Sequence, residues 1–178
     1  GDWLWTSPNS FVASANCARY CGANVDFVDI DPLTWNLDVR ALDRKLKQAG
    51  VAGRLPKVLV AVAFSGQSCD MAGIARLARQ YGFTVIEDAA HALGARYAGE
   101  PVGSGAYADM TVFSFHPVKI ITSGEGGMVL CNRPELAQRL RSLRSHGVTR
   151  DPEQMTGPSH GGWYYQQTEP CLLYTSLS

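Results

Sequence analysis

The stretch Phe83 to Gly127, FTVIEDAAHALGARYAGEPVGSGAYADMTVFSFHPVKIITSGEGG, decides the fold. It holds two short apolar runs, Thr84 to Ile86 and Met110 to Phe113. The first ends in Glu87-Asp88 and the second in Ser114-Phe115-His116, with Lys119 three residues further on. Short runs rich in Val, Ile, Phe and Thr, bounded by Gly, read as buried strands of an α/β protein. Ligands of such sheets sit beyond the carboxyl ends of the strands. One strand therefore offers a carboxylate to that crevice, and the other a hydroxyl and an amine.

Outward from this segment the same alternation continues. Asp2 to Thr6 reads as a strand, broken by Ser7-Pro8-Asn9, and Ser10 is placed to cap a helix from Phe11 to about Cys21 that Gly22 ends. Asn24 to Ile30 reads as a strand. Residues 38 to 49 read as a helix with Val39, Leu42 and Leu46 on one side. Val58 to Phe64 is too short an apolar run for an ordinary helix and reads as a strand, followed by a helix from Met71 to Tyr81 closed by Gly82. Tyr97 to Pro101 has the composition of a small hairpin, and Met128 to Cys131 returns as a strand. Pro134 opens a helix striped by Leu136, Leu140 and Leu143, and past Gly147 the pattern dissolves. The expected architecture is three-layer α/β/α with a mainly parallel sheet.

The 178 residues suffice for one sizeable core. Sixteen basic and sixteen acidic side chains cancel, so no global field draws nucleic acid or a charged membrane. No apolar run approaches the roughly 20 residues of a membrane span. The five cysteines form no C-x-x-C pair. Cys17 and Cys21, one helical turn apart, are expected on a buried small-residue face, as reduced thiols of a cytoplasmic protein. Gly103-Ser104-Gly105-Ala106-Tyr107-Ala108 fits the dinucleotide pattern G-x-G-x-x-A, yet leaves no room for a helix before MTVFSF and reads as a turn.

Glu-Asp-Ala-Ala-His-Ala-Leu-Gly (87–94), Phe-Ser-Phe-His-Pro-Val-Lys (113–119) and Gly-Glu-Gly-Gly (124–127) resemble, in order and spacing, the DegT/DnrJ/EryC1/StrS sugar aminotransferases. The resemblance runs from Gly1 to about Tyr165. Residues 5–16, 25–31 and 64–71 are similar to the branch that serves pseudaminic acid synthesis. It implies part of the large domain of a fold type I aminotransferase, residues 1–167. It also implies pyridoxal 5'-phosphate as cofactor, an amino acid (glutamate) as donor, a nucleotide-linked 4-keto-6-deoxy sugar as acceptor, and a homodimer. The family's full chain is about twice this long. Its upstream phosphate-binding segment, its small domain and its Asn-Tyr-Arg region are absent from this sequence, and the piece alone is expected to be inactive. From Thr168 onward, TEPCLLYTSLS departs from the family, and 168–178 is read as a non-native tail.

A lysine, a carboxylate and a serine in one crevice suit this cofactor: the lysine binds it covalently and the carboxylate holds the ring nitrogen's proton. Lys119 would be that lysine, against an ordinary surface lysine. Asp88 would partner the ring nitrogen, against a helix N-cap. His91 stands where the family has a glutamine or histidine near the phenolic oxygen, against a satisfied, partly buried histidine. Ser114 would bond the phosphate, against a turn-capping serine. Phe11 would stack on the ring, against core packing. Gln67, Ser10 and His116 are weaker candidates, and no metal site is expected. Two rival functions remain: a sugar dehydratase of the same fold, in which histidine replaces the lysine, and a non-catalytic cofactor-binding sensor or scaffold.

Overall fold

The computed structural model describes residues 1–157 and 161–168, so the expected tail lies outside the described residues except for Thr168. The chain divides into two units, Gly1–Asn132 and Arg133–Ser178. The first carries β1 (Trp3–Thr6), α1 (Ala13–Tyr20), β2 (Asn24–Phe27), α2 (Val39–Val51) and β3 (Val58–Val62). It continues with α3 (Met71–Tyr81), β4 (Thr84–Asp88), the hairpin β5 (Arg96–Tyr97) and β6 (Glu100–Pro101), β7 (Met110–Ser114) and β8 (Gly127–Leu130). A 3-10 turn, Phe64–Gly66, follows β3.

Six strands form one sheet in the order β2-β1-β3-β4-β7-β8. All neighbours are parallel except β7 and β8, which pair antiparallel with Ser114 opposite Gly127. Strand order reverses between β1 and β3. The crossover from β1 moves outward to β2, and the one from β3 moves the other way to β4. Right-handed crossovers in opposite directions lie on opposite faces. Accordingly, α2 and α3 cover one face, where Trp5, Leu59, Ala61 and Val85 pack with Leu42, Leu46, Ile74 and Leu77. On the other face Ala18 of α1 packs with Leu4 and Val60. This is the expected three-layer α/β/α arrangement with a mainly parallel sheet.

Local chemistry sets the element ends. Asp38 accepts the Arg40 N–H and caps α2, and Asp70 accepts the Gly73 N–H and caps α3. Gly82 takes the left-handed conformation (φ 76°) that closes α3. The hairpin turn has positive φ at Ala98 and Gly99. Residues 103–108 open no helix; they form a loop leading into β7, as the turn reading expected.

Three local expectations are corrected. The first helix starts at Ala13, and Ser10 caps nothing: its hydroxyl points to the side chain of Ser14. The strand expected to reach Ile30 ends at Phe27, after which Ile30 makes only an isolated bridge to Leu37. Cys17 and Cys21 are exposed, because the buried face of α1 is made by Ser14 and Ala18.

The second unit holds α4 (Pro134–Arg144), with Pro134 in its first turn, and β9 (Val148–Thr149) paired antiparallel with β10 (Gln166–Gln167). Leu136 and Leu140 are half-buried and Leu143 is exposed. Among the described residues no helix is long and apolar enough to cross a membrane.

Candidate active site

Asp88 is the last residue of β4 and Ser114 the last of β7, so both stand at the carboxyl edge of the parallel strands. Asp88 is half-buried and already held by two donors. The Ser14 hydroxyl donates to its Oδ2 at 2.7 Å, and the Ala90 N–H donates to its Oδ1 at 3.2 Å. The second bond closes a turn onto residue i+2, and no helix follows, so Asp88 is not an N-cap.

That turn carries His91 outward, where Nε2 lies 2.8 Å from Lys119 Nζ. A lysine ammonium can only donate, so such a contact pairs it with an imidazole tautomer that leaves Nε2 free to accept. His91 is exposed and Lys119 half-buried. Ser114 is half-buried, and its Oγ accepts the His116 N–H at 3.4 Å, which leaves the hydroxyl hydrogen to donate elsewhere. Phe11 is 76% exposed and therefore outside the core. Its carbonyl accepts the Ser14 N–H at 3.1 Å, so the ring sits at the entrance to α1, one turn from the residue holding Asp88. Gln67 is exposed and gives only its carbonyl to a side-chain bond.

The lysine loop is fixed by the sheet. It leaves β7 at Phe115, whose N–H bonds to the Gly126 carbonyl, and Ser123 N–H returns to the Phe115 carbonyl. Thr122 Oγ1 donates to the same carbonyl. The His91 turn is fixed from the other side. Gly66 has φ 88°, and a Cβ there would lie 2.6 Å from the His91 carbonyl oxygen, so only glycine allows the two backbones this close.

Two residues that organise the site had no clear signature in the sequence. Ser14 reaches Asp88 across 74 residues; it lies in the family-like stretch 5–16, but nothing there announces its partner. Asn36, 3% exposed, accepts the Phe64 N–H and donates to the carbonyls of Gln67 and Ser68, pinning the loop that presents Gly66.

A cleft of about 460 Å³ lies elsewhere, over Trp3 and Trp5 beside α2. Its lysine, Lys45, is committed internally, with Nζ 2.7 Å from Asp26 and 5.0 Å above the Trp5 ring. The Lys119–His91 contact and the Asp88 carboxylate lie beyond the strand ends, not there.

An open sheet of this order, with α1 on one face and α2 and α3 on the other, is that of part of a fold type I aminotransferase. It superposes on the Helicobacter pylori aminotransferase PseC, involved in pseudaminic acid biosynthesis, with TM-score 0.80 and 28% identity, covering 96% of this chain and 41% of that one. Residues 1–169 match the DegT/DnrJ/EryC1/StrS aminotransferase family, and the chain belongs to it. Over 146 residues it is 43% identical to the UDP-4-amino-4,6-dideoxy-N-acetyl-beta-L-altrosamine transaminase of Campylobacter jejuni, covering 82% of this chain and 37% of that protein. It is 40% identical over 168 residues to the GDP-perosamine synthase of Caulobacter vibrioides, covering 94% of this chain and 43% of that protein. The chain thus spans about two fifths of the length of these relatives.

Proposed function

We propose that the protein is a pyridoxal-phosphate-dependent aminotransferase that moves an amino group from an amino acid, glutamate, to a nucleotide-linked 4-keto-6-deoxy sugar. The proposed setting is pseudaminic acid or a related surface glycan, and the active form is a homodimer. The observation that carries this reading is the contact of Lys119 Nζ with His91 Nε2 at 2.8 Å, three residues from Asp88 along the same turn.

The residues present fit the cofactor. Asp88 keeps acceptor capacity beyond its two donors, Ser114 has an uncommitted hydroxyl hydrogen, and Phe11 offers an exposed ring. Lys119 would hold the cofactor covalently, Asp88 the ring nitrogen, Ser114 the phosphate and Phe11 the ring face; His91 would stand near the phenolic oxygen. When bound, pyridoxal phosphate supplies an electron sink for the charge left as the substrate carbon loses its proton. Asp88 would accept from the protonated ring nitrogen, and its two donors hold the carboxyl group in a fixed orientation. Lys119 Nζ, once neutral, takes the proton from the donor's α-carbon and later delivers one to the sugar carbon that receives nitrogen. His91 Nε2, as an acceptor, keeps Nζ oriented between these steps. A lysine at 119 speaks against the dehydratase alternative.

The test is borohydride reduction of the full-length protein with pyridoxal phosphate, followed by peptide mass analysis. The label is expected on the peptide holding Lys119, and Lys119→Ala is expected to abolish both label and turnover. A label on Lys45 or Lys57 overturns the assignment.

A further inference from the structure

The geometry points to Ser14 as a positioning residue for Asp88, with Ser10 behind it, so that two serines of the α1 entrance tune the carboxylate that faces the cofactor ring. This inference rests on the proposed function and assigns a role to two serines of the 5–16 stretch that its resemblance does not specify.

Satisfiability fixes the direction of the chain. Ser14 Oγ lies 2.7 Å from Asp88 Oδ2 and 2.7 Å from Ser10 Oγ. A hydroxyl has one hydrogen, and an ionised carboxylate can only accept. Ser14 therefore donates to Asp88, and its oxygen accepts from Ser10. Ser10 has a second acceptor available in the Phe11 carbonyl, but at the longer distance of 3.1 Å. The result is a relay, Ser10 to Ser14 to Asp88, in which each hydroxyl polarises the next.

Burial gives the relay its leverage. Ser14 is 5% exposed, on the inner face of α1, so water cannot replace its hydroxyl without a rearrangement. A hydrogen bond to a charged acceptor is stronger than one between neutral groups. With the Ala90 N–H on Oδ1, Ser14 on Oδ2 fixes the plane of the carboxylate. A carboxylate that loses such a donor turns more freely, and its oxygens are no longer held toward the ring nitrogen whose proton it would accept.

The helix supports this placement. The Ser14 N–H donates to the Phe11 carbonyl, and the Cys17 thiol donates to the Ser14 carbonyl. The turn that presents the exposed Phe11 ring is therefore the turn that holds Asp88. Ring stacking and ring-nitrogen protonation would be set by one short piece of backbone.

The experiment uses the full-length protein loaded with pyridoxal phosphate isotope-labelled at the ring nitrogen, with NMR of that nitrogen as the main readout. Ser14→Ala is expected to move the resonance toward the unprotonated pyridine value and to weaken cofactor binding to the apoprotein by about 3- to 10-fold. It should lower kcat about tenfold while leaving KM for the amino donor nearly unchanged. Ser14→Thr, which keeps the hydroxyl, should match wild type, and Ser10→Ala should shift the resonance less than Ser14→Ala but in the same sense. An unmoved resonance and affinity in Ser14→Ala overturn the relay. So does a Ser14→Thr variant as impaired as Ser14→Ala, which would make the effect one of packing. If Ser14→Ala does not fold, Ser14→Cys decides: a weak donor of similar size must fall between wild type and loss, and a wild-type resonance refutes the inference. Wild-type protein that fails to fix the cofactor at Lys119 sinks the proposed function itself, an outcome distinct from a normal wild type with silent Ser14 variants.

Discussion

Replacing Asn36 with alanine should cost the large unit more than any surface change of similar size. The amide makes three bonds, accepting from Phe64 N–H at 3.0 Å and donating to the carbonyls of Gln67 at 3.0 Å and Ser68 at 3.2 Å. At a net contribution of about 1 kcal/mol each, their loss amounts to about 3 kcal/mol. Burial of the residue at 3% exposure leaves little access for water to re-satisfy the stranded backbone groups. That is a large part of a total stability of about 5–15 kcal/mol. In urea unfolding of the full-length protein, Asn36→Ala should lower the midpoint with an unchanged slope. Asn36→Asp is the sharper probe. A carboxylate can still accept from Phe64 but faces two carbonyls to which it cannot donate, so its cost should equal or exceed that of alanine. A loss below about 0.5 kcal/mol for Asn36→Ala, within the range of ordinary surface substitutions, would show that this amide does not hold the loop.

Gly66→Ala, with φ 88° and a Cβ placed 2.6 Å from the His91 carbonyl, should displace the His91 turn and weaken cofactor binding about tenfold or more; equilibrium dialysis of the apoprotein checks it. Asp88→Asn should lower kcat by about 100-fold or more while the unfolding midpoint barely moves; near-normal turnover with reduced stability would make Asp88 a structural residue only. Glu87 is 6% exposed, and burial pushes its carboxyl above the usual value of 4.5, against a smaller opposing effect of the Thr111 hydroxyl. A raised folded-state value means the native protein holds the proton more tightly. Its stabilising contribution is therefore complete below about pH 4.5 and is lost as pH rises through the folded value. Glu87→Gln should consequently be the more stable protein at about pH 8, with the difference vanishing toward about pH 4 in parallel urea titrations.

The sequence was most informative where signals are local. The bounds of α3 at Met71 and Tyr81 follow from its apolar spacing and from Gly82, and β4 and β7 end where their apolar runs meet Asp88 and Ser114. The hairpin turn at Ala98-Gly99 was legible for the same reason. The start of α1 was not, because Ser10 has the composition of a cap and spends its hydroxyl on Ser14. The antiparallel sense of β8 was also hidden, since a four-residue apolar run carries no direction. In the candidate site, the motifs pointed to Asp88, His91, Ser114 and Lys119, but not to the contact between His91 and Lys119, 28 residues apart. Nor could they show that Phe11 stands in solvent, because an aromatic residue before a helix is as readily a core residue. Ser14 and Asn36 act through tertiary hydrogen bonds, and neither has a neighbour in sequence that announces its partner.

The antiparallel return from β7 to β8 has a consequence for the order in which the molecule assembles. Strands joined as a hairpin meet without a crossover, and contacts between near sequence neighbours form early and quickly. The loop that holds Lys119, closed where Ser114 faces Gly127, can therefore be built before most of the sheet exists. Asp88 cannot be set in the same way. Its place depends on register with β3 and β7, and its hydroxyl donor arrives from α1, 74 residues earlier in the chain. This topology leads one to expect the Lys119 loop from local folding and the Asp88 site from global folding. A partly folded chain would present the Lys119 loop before Asp88 is in place, and on the proposed function any cofactor captured at that stage would report on the hairpin rather than on the finished site.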